Sequence, residues 1–199
     1  LISGGVVNIF STLDAFAALK DDGSVVTWGD SENGGNNSKI SHLIKDGVID
    51  VYANNGAFAA LKDDGSVVTW GNSVFGGDEA NQGESGVISA KNIEELQSGV
   101  VKIFSTSGEG RAFNGQNYVH ETGAFAALKD DGSVVTWGSN SVGGFSTFVH
   151  EKLQNNVKNI FSTGSAFAAL KEDGSVISWG GNASSGSTSE FSDTSLVAE

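Results

Sequence analysis

The chain has 199 residues, 38% of them hydrophobic, with 24 acidic and 11 basic side chains and a formal charge of −13, the profile of an acidic globular domain. No run approaches the ~18 apolar residues of a transmembrane helix, and the net charge repels phosphate backbones and anionic lipid, so neither nucleic acid nor membrane insertion is expected. The absence of cysteine removes disulfides, thiolate zinc sites and cysteine nucleophiles, and the absence of methionine and of a signal-peptide pattern in LISGGVVNIF points to a mature or excised segment.

In chain order, the first apolar stretch is VVNIF, followed by AFAALKDDGSVVTWG at 15–29. Its three apolar runs are of strand length and rich in Val, Ile, Phe, Thr and Trp, which suit a pleated surface. The Asp21-Asp22-Gly23 turn between Leu19 and Val25 reverses the chain, because Asp accepts backbone hydrogen bonds there and Gly takes a positive φ. The pair Gly34/Gly35 marks a second turn. The expected unit is strand, strand, turn, strand, connection.

The 15–29 segment recurs unchanged at 57–71 and 124–138, and returns at 166–180 with Glu172, Ile177 and Ser178 substituted. Trp28 and Trp70 lie 42 residues apart, Trp70 and Trp137 67, and Trp137 and Trp179 again 42, so the basic unit is 42 residues and the middle interval is lengthened. The units run over about 1–46, 47–98, 99–155 and 156–199 of a single repeat domain, with an insertion at 107–121 in the third. Gly76/Gly77 and Gly143/Gly144 repeat the second turn, whereas the fourth unit keeps only Gly186 there. Units of this length made of short antiparallel strands cannot bury their faces alone. The expectation is an all-β chain, a β-propeller of four units, either a four-bladed ring closed near Leu196 or a piece of a larger propeller or array; a β-solenoid is the alternative.

The pattern Ala18-Leu19, Asp22-Gly23, Trp28-Gly29 and the following Gly resembles the repeat of the regulator of chromosome condensation family in all four units. Ser31, Ser73, Asn140 and Asn182 stand where that family favours Asn. The chain departs from the family at Ala15, Ala57, Ala124 and Ala166, where a His is common, and at Gly35, Gly77 and Gly144, where a Gln is usual. The near-identity of the copies resembles bacterial members, which implies a secreted or surface protein, and that group includes a propeller that inhibits β-lactamases. The founding member's nucleotide-exchange and chromatin roles are not matched by loop residues here.

No catalytic motif is present: there is no nucleophile elbow, phosphate-binding loop or dinucleotide fingerprint, so the chain is not expected to be an enzyme and no cofactor is implied. The acid pairs Asp21/Asp22, Asp63/Asp64, Asp130/Asp131 and Glu172/Asp173 sit in turns without the spacing of a calcium loop, and His42, His120 and His150 occupy non-equivalent positions, so no metal site is expected. Trp28, Trp70, Trp137 and Trp179 are expected to pack between sheets, the alternative being a sugar groove. Ligand sites break repeat symmetry, which directs attention to the insertion. It holds Arg111, the sole arginine, with Phe113, Tyr118 and His120, and Arg and Tyr anchor protein interfaces. A tolerated surface insertion is the other reading. The function expected is a non-catalytic module binding a protein or glycan outside the cell or at its surface. Spacer repeats are the alternative, an inhibitor-like propeller a further one, and self-association follows where the four units are an incomplete ring.

Overall fold

The structure, a computed structural model, describes residues 4–77, 94–108, 112–113, 118–119 and 122–181. Each unit forms a three-stranded antiparallel meander with its middle strand central. The first sheet contains β1 (Val6–Ser11), β2 (Ala15–Lys20) and β3 (Val25–Gly29), and the second β4 (Val48–Ala53), β5 (Ala57–Lys62) and β6 (Val67–Gly71). The third contains β7 (Val100–Gly108), β10 (Thr122–Lys129) and β11 (Val134–Gly138), and the fourth β12 (Val157–Ser162), β13 (Ala166–Lys171) and β14 (Val176–Gly180). A separate two-stranded ribbon, β8 (Ala112–Phe113) with β9 (Tyr118–Val119), belongs to the third unit. The chain is all-β, with blade-like sheets stacked in sequence and the first strands of successive units touching one another.

The turn chemistry is the same in each unit. Asp22 Oδ1 accepts from the backbone N–H of Ser24 at 3.0 Å and from its hydroxyl, and Asp64, Asp131 and Asp173 do the same with Ser66, Ser133 and Ser175. These bonds favour the ionised carboxyl, holding Asp22 down at about 2. The turn also joins one unit to the next: the Val48 N–H donates to Gly23 O, and Val100 and Val157 repeat the bond with Gly65 and Gly132, each at 3.0 Å. Each first strand carries a β-bulge at its second residue, leaving Val7, Ile49 and Val101 outside the register and exposed.

The apolar run AFAAL has no polar face because an interior sheet is covered on both sides. Ala15, Ala17, Leu19 and Val25 of the first sheet meet Val48, Val51, Phe58, Ala60, Val68 and Trp70 of the second, with Ile40 and Ile44 of the connection filling the gap. The same arrangement joins the second sheet to the third through Phe75 and Leu96, and the third to the fourth through Val142, Val149 and Leu153. The Phe and Trp of each unit are directly opposite in register and their rings stack, with centroids 5.2 Å apart for Phe58 and Trp70. The other three pairs stack at 5.3 to 5.4 Å.

Each such ring pair in the second, third and fourth sheets seats on the glycine turn of the unit before it. A Cβ on Gly34 would lie 2.6 Å from the Phe58 ring, and the Trp70 indole N–H donates to Gly34 O at 3.1 Å. Trp179 repeats the bond with Gly143 O at 3.1 Å, whereas the Trp137 indole nitrogen is buried with no acceptor among the described residues. Three of the four tryptophans are therefore inter-sheet plugs. Trp28 departs from the expected burial: it is 37% exposed, with no sheet packed on that face among the described residues.

Candidate interaction site

Units one, two and four close the hairpin between their first two strands within a few residues, as at Ser11 to Ala15. In the third unit the same two strands run on, with Thr122 paired to Gly108 and Gly123 to Ser107. Beyond them Ala112 pairs with Val119 and Phe113 with Tyr118. Among its described residues the insertion therefore pairs as antiparallel strand, in the lengthened ends of β7 and β10 and in the separate β8–β9 ribbon, a form that nothing in the spacing of its residues had indicated. Arg111 and His120 lie outside the described residues. Phe113 and Tyr118 are brought opposite one another by the backbone register of the ribbon.

The base of the ribbon is anchored from both sides. The buried Thr106 hydroxyl donates to Val142 O at 3.2 Å and accepts from the Ala124 N–H at 3.0 Å, tying the hairpin to the glycine turn of its own unit. On the side of the second unit, the Ser105 hydroxyl donates to Ala53 O at 2.9 Å, and a Cβ on Gly123 would lie 2.5 Å from Asn54 Cγ. Asn54 replaces the threonine found at this position in the other units and does more with it. Its Oδ1 accepts from the N–H groups of Gly56 and Ala57 at 3.1 and 3.0 Å, and its Nδ2 donates to Phe75 O at 2.8 Å. Sequence reading passed over Asn54, although its departure from Thr12, Thr106 and Thr163 was visible in the alignment of units.

Two further features break the repeat in the third unit. Phe148 is 91% exposed at the start of the 3-10 segment Thr147–Leu153, and Phe145 just before it is also exposed. On the inner strands, the Lys102 ammonium sits 5.0 Å over the Phe104 ring. Tyr52 is half-buried on β4 and is pushed up to about 12, first by burial and then by the Asp50 charge, so it stays a neutral phenol.

The titratable side chains elsewhere are dispersed. His42 is exposed and His150 pairs with Gln154, at 3.4 Å between Nδ1 and Nε2. Among the described residues no three His, Asp or Glu side chains converge as metal ligands would. Among the described residues no helix is long and apolar enough to cross a membrane.

No protein-family profile and no curated protein matches the chain. Solved structures do. Prp20p from Saccharomyces cerevisiae, described with its binding to Gsp1p and histones, matches with a TM-score of 0.52 at 18% identity, over 90% of this chain and 46% of that one. Yeast RCC1 (Prp20) bound to Kap60 matches with a TM-score of 0.51 at 17% identity, over 90% and 44%. Human WBSCR16 matches with a TM-score of 0.49 at 23% identity, over 90% and 48%. The two yeast structures establish that this chain shares the RCC1-type propeller repeat fold. The chain spans less than half the length of each of these structures.

Proposed function

We propose that the chain is a non-catalytic protein-interaction module in which the ribbon of the third unit is the docking element. The observation that carries this reading is the contrast between a scaffold repeated four times and a ribbon present once among the described residues, rooted through Thr106, Ser105 and Gly123 in the packed junction of two sheets. A rigid base lets a projecting segment present anchors at low entropic cost, and single-partner recognition needs an asymmetric feature. Arg111, Phe113, Tyr118 and His120 are the side chains proposed to engage a protein, or a glycan, and the exposed Phe145 and Phe148 offer apolar surface in the same unit. The acidic charge favours a partner with basic surface. The proposed setting is a secreted or surface protein of bacterial type, by resemblance of the near-identical repeats.

The test replaces residues 107–123 by the short turn of the second unit, Asn55-Gly56, which keeps a glycine against Asn54, and compares capture of partners from cell-surface extracts with that of the parent chain. Loss of a captured protein with an unchanged melting temperature supports docking through the ribbon. Equal capture by both chains overturns it and favours the spacer reading, which the near-identity of the four units supports.

A further inference from the structure

The two ends of the stack are the two halves of the interface that the chain forms three times within itself. The leading face of the second sheet, with Val48, Val51, Phe58, Val68 and Trp70, is buried against the first. Its counterparts on the first sheet, Val6, Ile9, Phe16, Val26 and Trp28, differ only in the Ile for Val51, and they lie open, with Ile9 55% and Phe16 44% exposed. The trailing face shows the converse. Phe10, Ala15, Ala17, Leu19 and Val25 pack onto the second sheet, whereas their counterparts Phe161, Ala166, Ala168, Leu170 and Val176 on the fourth are uncovered to varying degrees, with Phe161 56% exposed. The glycine turns record the same vacancy. A Cβ on Gly23, Gly65 or Gly132 would strike the backbone nitrogen of the next unit within 2.9 Å, while one on Gly174 meets nothing within 4 Å. Among the described residues, the first and fourth sheets therefore do not cover each other.

We infer that the occupant of these faces is a second copy of this chain, bound head to tail, with the fourth sheet of one copy against the first sheet of the other. Complementarity is already demonstrated three times over by the internal junctions, whose contacting residues are nearly the same as those left open. A face of this composition, large and apolar in an otherwise acidic chain, is not a stable solvent surface. A heterologous pairing must either close or propagate. Two copies supply eight sheets, within the range at which propellers close, so a ring of two satisfies all four open faces without a filament. This pairing is independent of the ribbon, so its failure leaves the proposed docking element standing.

The experiment uses two chains, Ile9→Asp, which blocks the leading face, and Phe161→Asp, which blocks the trailing face. Both positions are more than half exposed, so the folded units tolerate the change; circular dichroism and melting verify this for each chain. Sedimentation of the parent chain is expected to show a dimer. Each variant alone is expected to sediment as a monomer, since every head-to-tail junction then contains one buried aspartate. Mixed in equal amounts, the two variants are expected to form a one-to-one dimer through the single junction that retains both Ile9 and Phe161. A monomeric parent chain overturns the pairing. Self-association of either variant alone, or a mixture that stays monomeric beside a dimeric parent, overturns its head-to-tail form.

Discussion

Identical residues in identical units have different energetic weight, and position in the stack sets the difference. Trp70 is fully buried, stacked on Phe58 and bonded to Gly34, whereas Trp28 has the same kind of ring partner but is 37% exposed, with no glycine turn seated on it among the described residues. Trp70→Ala is expected to cost about 3 to 5 kcal/mol by urea denaturation and Trp28→Ala less than half of that, since a part-exposed ring leaves no closed cavity. Equal losses would show that the two faces are equally covered in solution. Gly65 and Gly174 make a parallel pair, both at positive φ, +77° and +85°, but only a Cβ on Gly65 meets backbone, 2.8 Å from Gly99 N. Gly65→Ala is therefore expected to lower the melting temperature further than Gly174→Ala, the excess being the collision between units. The four turn aspartates, Asp22, Asp64, Asp131 and Asp173, have folded pKa values below the ordinary carboxyl value. A depressed pKa contributes stability that is present above the unfolded value, 3.8, and is lost as the pH falls toward the folded one, about 2 for Asp22. Melting followed between those limits should fall with acidification, and replacing all four by Asn should flatten that limb; an unchanged slope would assign acid lability to other carboxylates.

At the scale of elements, the hairpin between the first two strands of a unit is pinned to the glycine turn by one side chain. In the second unit that side chain is Asn54, nearly inaccessible to solvent, which satisfies two backbone donors and one acceptor. Its removal strands those groups in a dry place, so Asn54→Ala is expected to destabilise by about 2 to 4 kcal/mol in chemical denaturation, more than one ordinary hydrogen bond is worth. Asn54→Thr should recover most of the loss, because Thr12 and Thr106 make the equivalent bridge to Asn33 O and Val142 O. Failure of the threonine to rescue would mean that the contact with Gly123 at the ribbon base matters more than the bridge. If Arg111 and Tyr118 serve docking, as proposed, replacing both by Ala should leave the melting temperature unchanged while weakening a ribbon-bound partner by more than about 2 kcal/mol in titration calorimetry, and an equal loss of stability would assign them a packing role.

Across the whole molecule, sheets that interact only with their neighbours give stability as a sum of unit and junction terms. Among the described residues the second and third sheets each have two junctions and the first and fourth one each. In the monomeric Ile9→Asp chain, amide exchange is therefore expected to be slowest in β5, β6, β10 and β11 and faster in β1 to β3 and β12 to β14. In the parent chain at dimerising concentration the gradient should flatten as the end sheets gain cover. Uniform exchange in the monomeric variant would mean that the four sheets open as one cooperative block.

Much of this architecture is readable from residue order alone. Strand type, the Asp-Gly turns, the positions of the sheets and the recurring plug of Phe and Trp are local properties repeated at a fixed spacing, and a pattern repeated four times carries its own confirmation. The RCC1-type fold is visible there for the same reason. What the repeats do not carry is anything that differs between copies of one sequence. Trp28 and Trp70 sit in the same fifteen-residue segment, so no reading of that segment separates the open indole from the buried one. The roles of Asn54 and Gly123, the extension of β7 and β10 into a ribbon, and the two open faces all depend on which unit stands beside which. Burial is a property of neighbours in space, so the stacking of the sheets, and not their composition, decides which copies of the repeated surface become core and which remain free to bind.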